Sequence, residues 1–401
     1  VWVSNQYGNT GVEYGRLTGT PAFSANPFAQ PGPGTPGLSA TTTYEIDITD
    51  PNFKNPSILR YSLSVDQKLP MDMTATAEVI MAKTLNEVTY QNINLKGVVD
   101  TVGNEGRPVY STSSANRNIN STFTSVMYLK NTDQGGQSSY SLQLNRTGAE
   151  DNIDFTGGYV FNSSEDINSG ASAQAFSQWR FNPISTNPNE AVLTNSIWNR
   201  DHRFYLSVSY TYDWNEDLAT DVGFFFNAQS GRGFSYVVDG DVNGDGANGN
   251  DLAYIPEDIN DITLVTSSGT VLAKTDVAYT NLFKFIDNDE YLKENKGKFA
   301  ERAGAVEPWS YQLDFRVTQH VGFMGQKLEV YFNILNVMNL IDKENGHVKE
   351  VPNQSANLFR YHSFDAATNT ARYVYTNPVD PRQPNDILSR YQMQLGMRYS
   401  F

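Results

Sequence analysis

A period of two in hydrophobicity, returning nine times, constrains this chain more than anything else in it. Leu59, Tyr61, Leu63 and Val65 alternate with Arg60, Ser62, Ser64 and Asp66, and Met73, Ala75, Ala77, Val79 and Met81 alternate with Thr74, Thr76 and Glu78. Successive side chains of an extended strand point to opposite faces, so each run predicts a strand with one apolar and one polar side. The pattern returns at Tyr140/Leu142/Leu144, from Ile153/Phe155 to Tyr159/Phe161, at Phe204/Leu206/Val208/Tyr210/Tyr212 and at Val222/Phe224/Phe226/Ala228. Three more runs follow: Tyr311/Leu313/Phe315/Val317, Leu328/Val330/Phe332/Ile334 and the terminal Tyr391/Met393/Leu395/Met397/Tyr399/Phe401. No helical stripe competes with them, and the one short helical segment expected lies at 280–299 in a long connection. Nowhere does the chain approach the roughly 18 consecutive apolar residues of a membrane-spanning helix, so spanning helices are excluded.

The connections between strands fall into two classes that alternate. Pro70 to Asp72, Gly148 to Asp151, Trp214 to Glu216 and Gly322 to Gln326 are tight hairpin turns. Between the hairpins run 96–137, 165–200, 230–309 and 337–387, rich in Asn, Asp, Gly, Ser and Pro and far longer than ordinary loops. Short turns at one end and long loops at the other are the mark of an outer-membrane barrel, and the fold class expected is an all-β, antiparallel up-and-down transmembrane β-barrel with long extracellular loops. A soluble sandwich or propeller is the alternative. Strands of about 10 or more residues weigh against it, since sandwich strands usually run ~5–6. So does the aromatic end of the chain, Tyr399 and Phe401, because aromatic girdles mark the lipid interfaces of barrels. So, finally, does a second face carrying Arg60, Asp66, Glu78, Asp314, Arg316 and Arg398, as a wet lumen requires. The face predicted to meet lipid carries Leu63, Val65, Ala77, Phe204, Val208, Phe224, Leu313, Val330 and Leu395.

If the last strand ends on the periplasmic side, every long connection is extracellular, and residues 1–56 form an external loop or extension ahead of barrel strands in 57–401. Strand-like pieces at 116–130 and 357–375 then belong to outer loops. Nine antiparallel strands leave the first and last parallel and cannot close on themselves, whereas bacterial single-chain barrels are even-stranded. The expectation is the C-terminal part of a larger barrel, whose other strands come from an upstream segment or a separate polypeptide.

Composition narrows the partners. With 29 Lys and Arg against 44 Asp and Glu the net charge is −15, which disfavours nucleic acid and an anionic membrane surface. Cysteine is absent, so disulfides, Cys-ligated metals and thiol chemistry are excluded.

A series of short motifs adds a family resemblance over roughly residues 50–401. Asn55 to Arg60, Asp66 to Pro70 and Tyr90 to Leu95 are followed by His202-Arg-Phe204, Ser230 to Gly233, Asp241 to Gly246 and Asn250 to Pro256. Glu301 to Gly304 with Pro308-Trp309, Asn333 to Asn336 and Ser389 to Leu395 complete the order. Together they resemble Oar-like TonB-dependent receptors of the bacterial outer membrane. The resemblance implies a large plugged barrel that imports a bound ligand with energy passed from the inner membrane by a TonB-type protein. It also implies a plug domain, absent from this chain, and makes a surface lipoprotein a candidate partner.

One constellation has metal-ligand spacing. From Asp241, oxygen donors fall at positions one, three and five (Asp241, Asn243, Asp245) and glycine at six (Gly246), the opening of an EF-hand-type calcium loop. Position twelve is Leu252 instead of a bidentate Glu, so Asp239 or Asp251 would supply the remaining oxygens. Calcium, as a structural ion in an outer loop, competes here with a plain Asp/Asn/Gly turn region. Catalytic signatures are lacking: the sequence holds no His-Glu-x-x-His, Gly-x-Ser-x-Gly or P-loop, and His202, His320, His347 and His362 lie on separate segments. Asp314 and Arg316 read as lumen-facing polar residues sooner than as an acid–base pair, and no enzyme is expected. Aromatic residues of the loops, among them Tyr7, Tyr14, Phe23, Tyr254, Tyr279, Phe285 and Tyr291, would either stack on a sugar or peptide or pack the loops together. The functional expectation is ligand uptake through a TonB-dependent barrel in the outer membrane of a Gram-negative bacterium. A surface-display or adhesion barrel and a secreted calcium-binding β-domain are the alternatives.

Overall fold

The structure, a computed structural model, describes residues 17–18, 24–29, 39–40 and 44–401, except 104, 112–115, 149, 171 and 324. Tyr7, Tyr14 and Phe23, with most of the 1–56 extension, lie outside the described residues.

Among the described residues, nine long strands form one antiparallel meander. They are β1 (Ser57–Leu69), β2 (Met73–Asn92), β3 (Gly136–Arg146), β4 (Ile153–Asp166), β5 (His202–Asn215), β6 (Leu218–Gln229), β7 (Ser310–Phe323), β8 (Gln326–Leu335) and β9 (Gln392–Ser400). Each pairs with its sequence neighbour, from β1 on one edge to β9 on the other. The tight turns fall near the expected places, and the β7–β8 turn is shorter than expected, with Phe323 paired to Gln326. The β5–β6 turn is one residue tighter in register than its sequence suggests, since Asn215 pairs with Leu218 across a bulge after Asp213.

Register sorts side chains onto two faces. Directly opposed residues share a face, and the pairs Leu63↔Val79, Val79↔Tyr140 and Tyr140↔Phe161 form one row across four strands. Farther along, Phe155, Val208, Phe224, Phe315 and Ile334 make another row, and Ile153, Tyr210, Val222, Val317, Phe332 and Leu395 a third. The residues between them make polar rows, such as Ser209, Gly223, Arg316, Asn333 and Gln394. Leu63, Val65, Leu142, Phe204, Phe224, Leu395 and Met397 are exposed on the apolar side. An exposed face of this extent and composition, on a sheet of long strands, is a lipid-facing wall. Aromatic rings edge it at both ends. Tyr140, Phe161, His202, Trp309 and Tyr311 stack in series at the loop end, while Tyr212 with Trp214 and Tyr399 with Phe401 pair at the turn end. His202 thus stands in the outer aromatic belt.

The long connections are folded, not loose. Strand Phe123–Thr132 extends the upper half of β2 and in turn pairs in parallel with Tyr44–Thr49. A separate sheet is built from Gly233–Asp239, Ala305–Val306, Ser355–Asp365, Thr370–Val374 and Thr263–Leu264. Helix Val277–Asn288 covers it, and Asp276 caps this helix by accepting from the Ala278 amide at 2.9 Å. Its buried Tyr279, Leu282 and Ile286 follow helical spacing and meet Phe234, Tyr236, Leu358, Phe359 and Tyr373 from the sheet. The helix lies where 280–299 was expected, ending and restarting at Asp289 as Glu290–Glu294. Tyr279, Phe285 and Tyr291 belong to this core or pack against it, so loop packing, not a stacking platform, uses them.

Candidate functional site

Two places gather chemistry: the polar wall of the sheet and the junction of the outer loops. On the wall, β7, β8 and β9 bring His320, Glu329 and Arg398 into one register row, and Asp221 of β6 stands two residues along it, opposite Thr318. His320 Nε2 stands 2.6 Å from Asp221 Oδ2, and Thr211 donates to the other Asp221 oxygen at 2.8 Å. Asp314 and Arg316 do not pair with each other. Asp314 accepts from the Asn336 amide at 2.8 Å, and Arg316 Nε donates to Thr318 at 3.1 Å while lying over the Tyr331 ring. These are hydrogen-bonded side chains of a wet interior.

At the loop junction, the segment after strand Gly233–Asp239 winds tightly. Asp241 accepts from the Asp245 amide at 3.1 Å and the Gly246 amide at 2.9 Å, the pattern by which position one of a cation loop draws in positions five and six. Asn243 Oδ1 accepts from the Asp245 amide at 2.8 Å, and Asp245 Oδ1 accepts from the Ala247 amide at 2.7 Å. Asp245 Oδ2 receives two side-chain amides, Asn250 at 2.9 Å and Asn243 at 3.1 Å. Gly244 has φ +72°, and a Cβ there would lie 1.7 Å from the Ser111 carbonyl oxygen, so only glycine lets the 96–137 loop come so close.

Of the residues named from spacing, Asp241, Asn243 and Asp245 thus share one turn. Asp239 is the exposed last residue of the preceding strand. Asp251, fully buried, turns its carboxylate to the Val242 amide at 2.8 Å and to Arg107 at 3.1 Å. Arg107 is itself fully buried, bonds Glu105 and the Leu252 carbonyl, and Glu105 accepts from Tyr373. Burial works against the Arg107 charge, but Asp251 and Glu105 outweigh it and hold the guanidinium above its ordinary value. Burial pushes the Asp241 carboxyl up to about 6, with Asp251 adding to the shift. It likewise raises Asp245 and Asp251, whose neighbours Asp241 and Asp245 add negative charge. Arg107, Glu105 and Tyr110 carried no signal in the sequence, because apart from the contact between Arg107 and Glu105 their partners lie more than a hundred residues away.

The junction ties three outer loops together. The Tyr110 amide donates to the Asn243 carbonyl at 2.7 Å, the Ile184 amide to Asn250 at 2.7 Å, and the Leu252 amide returns to Ile184 at 3.0 Å. Beside it opens a cavity of about 580 Å³, bordered by Asn168, Trp198, Ser235, Asn248, Arg302 and Asn357. Trp198 is exposed there, whereas Arg302 is buried and pairs with Asp166 at 2.7 Å.

A family model described as an outer membrane beta barrel domain matches residues 3–356. No curated protein matches the sequence. Among solved structures, the outer membrane transporter YddB from Escherichia coli is similar at a TM-score of 0.40 and 11% identity, covering 90% of this chain. The chain spans 35% of that protein. With a lipid-facing wall, two aromatic belts and a family match over most of its length, the chain belongs to the outer membrane β-barrel domain family.

Proposed function

We propose that the chain is the C-terminal strand-and-loop part of a TonB-dependent importer that takes up a ligand gathered by its outer loops. The observation that carries this reading is the width of the wet wall. Nine strands already present a continuous polar face, and among the described residues both edges stay open: β1 pairs only with β2, and β9 only with β8. Unpaired strand edges inside lipid leave backbone groups unsatisfied at several kcal/mol each, so further strands must close the barrel. A barrel well beyond nine strands encloses more space than side chains can fill, which suits a channel or a plugged lumen. The missing strands and plug would come from the same gene product or a separate chain, and the plug would meet the TonB-type protein. The cavity beside Trp198 and Arg302 has the size of a ligand site, roughly 300–1,000 Å³. A surface lipoprotein could cover it. A secreted soluble domain is overturned by the family match and the exposed apolar wall. A display barrel keeps one argument, the folded loop crown with its own core.

The test is uptake by cells making the whole gene product, with labelled oligopeptide and oligosaccharide pools as probes. Accumulation that stops when the TonB-type protein is deleted, and weakens in Trp198→Ala, is expected. Surface binding of the pools with no energy-dependent uptake of any of them would favour display and sink the importer.

A further inference from the structure

We propose that the Asp241–Asn250 turn is a calcium site that clamps the three outer loops meeting there. Beyond the spacing, a buried atom points to the ion. Asn250 is fully buried, its amide lies against Asp245, and its Oδ1 has no hydrogen-bond partner. A buried amide oxygen without a partner costs free energy that a cation would recover. The Tyr110 hydroxyl, also buried, has no partner either.

One amide rotation brings two oxygens of this turn to the spacing of calcium ligands. Nitrogen and oxygen of an amide are nearly isosteric, so turning the Asn250 amide over places its oxygen where Nδ2 now stands, 2.9 Å from Asp245 Oδ2. Two oxygens that close repel each other unless a cation lies between them, and calcium–oxygen bonds of about 2.3–2.6 Å suit that separation. Asp241 keeps a second lone pair on each oxygen after accepting the Asp245 and Gly246 amides, as position one of a calcium loop does. The donors are hard oxygens, two carboxylates and two amides, which select calcium over transition metals. Among the described residues, no group of three or more His, Cys, Asp or Glu is placed to hold a metal. The ligands proposed are Asp241, Asn243, Asp245 and Asn250, with Asp251 remaining the partner of Arg107. This proposal stands apart from import: the ion orders the loops whether the barrel transports or displays.

The experiment uses the whole gene product, purified in detergent and stripped with chelator. Calcium and, separately, magnesium are titrated by calorimetry at about 1 mM and below, the range of extracellular calcium modules. Limited proteolysis with mapped fragments follows in each condition. Saturable calcium binding and about tenfold slower cleavage within 96–137 and 230–309 are expected. Asp245→Asn and Asn250→Leu should each weaken binding by about tenfold or more, while heat-modifiable mobility on gels shows that the barrel is still folded. Absence of a saturable calcium signal in the wild-type protein would overturn the proposal. So would equal protection by magnesium, or unchanged calcium affinity in a folded Asp245→Asn protein.

Discussion

Arginine at Val208 and at its neighbour Ser207 should have opposite consequences, although the two positions are one residue apart. Val208 belongs to the apolar row with Phe155, Phe224 and Phe315, whereas Ser207 opposes Phe225, which opposes Asp314 on the polar wall. Along β5, Val208 stands midway between His202 of the outer belt and Trp214 of the inner one. At about 3.4 Å per residue and a tilt of about 40°, that span measures roughly 31 Å along the membrane normal, which places Val208 near mid-plane. A charge facing lipid there costs about 2–4 kcal/mol, or roughly thirty- to several-hundred-fold in the folding equilibrium at 1.4 kcal/mol per decade. Ser207→Arg enters water beside Asp314 and should cost under about 0.5 kcal/mol, the usual range for solvent-facing changes. The assay is urea-dependent folding of the whole protein into vesicles, followed by heat-modifiable mobility. Equal shifts at the two positions would refute the assignment of faces, and with it the barrel.

Two further expectations concern the loop crown. Arg107→Met leaves Asp251 and Glu105 buried without their cation, which should destabilise the crown by about 3–5 kcal/mol; proteolysis should open loops 96–137 and 230–309 while the barrel keeps its heat-modifiable mobility. Leu282→Ala removes a fully buried side chain from the helix over the crown sheet, at about 2–5 kcal/mol, read as faster hydrogen exchange across Val277–Asn288.

How far the sequence reached depended on the range of the interaction involved. Period-two alternation is local, because strand geometry sends successive side chains to opposite faces, so Leu63, Val208 and Leu395 declared their side before any pairing was known. Tight turns and the expectation of a helix near 280–299 were legible for the same reason. The turn at Asp241, Asn243 and Asp245 was legible too, since its hydrogen bonds span only two to five residues. Tertiary structure alone decided the rest. It set Arg107 against Asp251, 144 residues away, and brought Tyr110 and Ile184 to the same turn. It also used Tyr279 and Tyr291 as core, the packing role that the sequence favoured over ligand stacking without naming what they pack against. Backbone geometry writes a short-range pattern into any strand, whereas a buried ion pair between distant loops leaves no period in the chain and exists only once the hydrophobic core has brought those loops together.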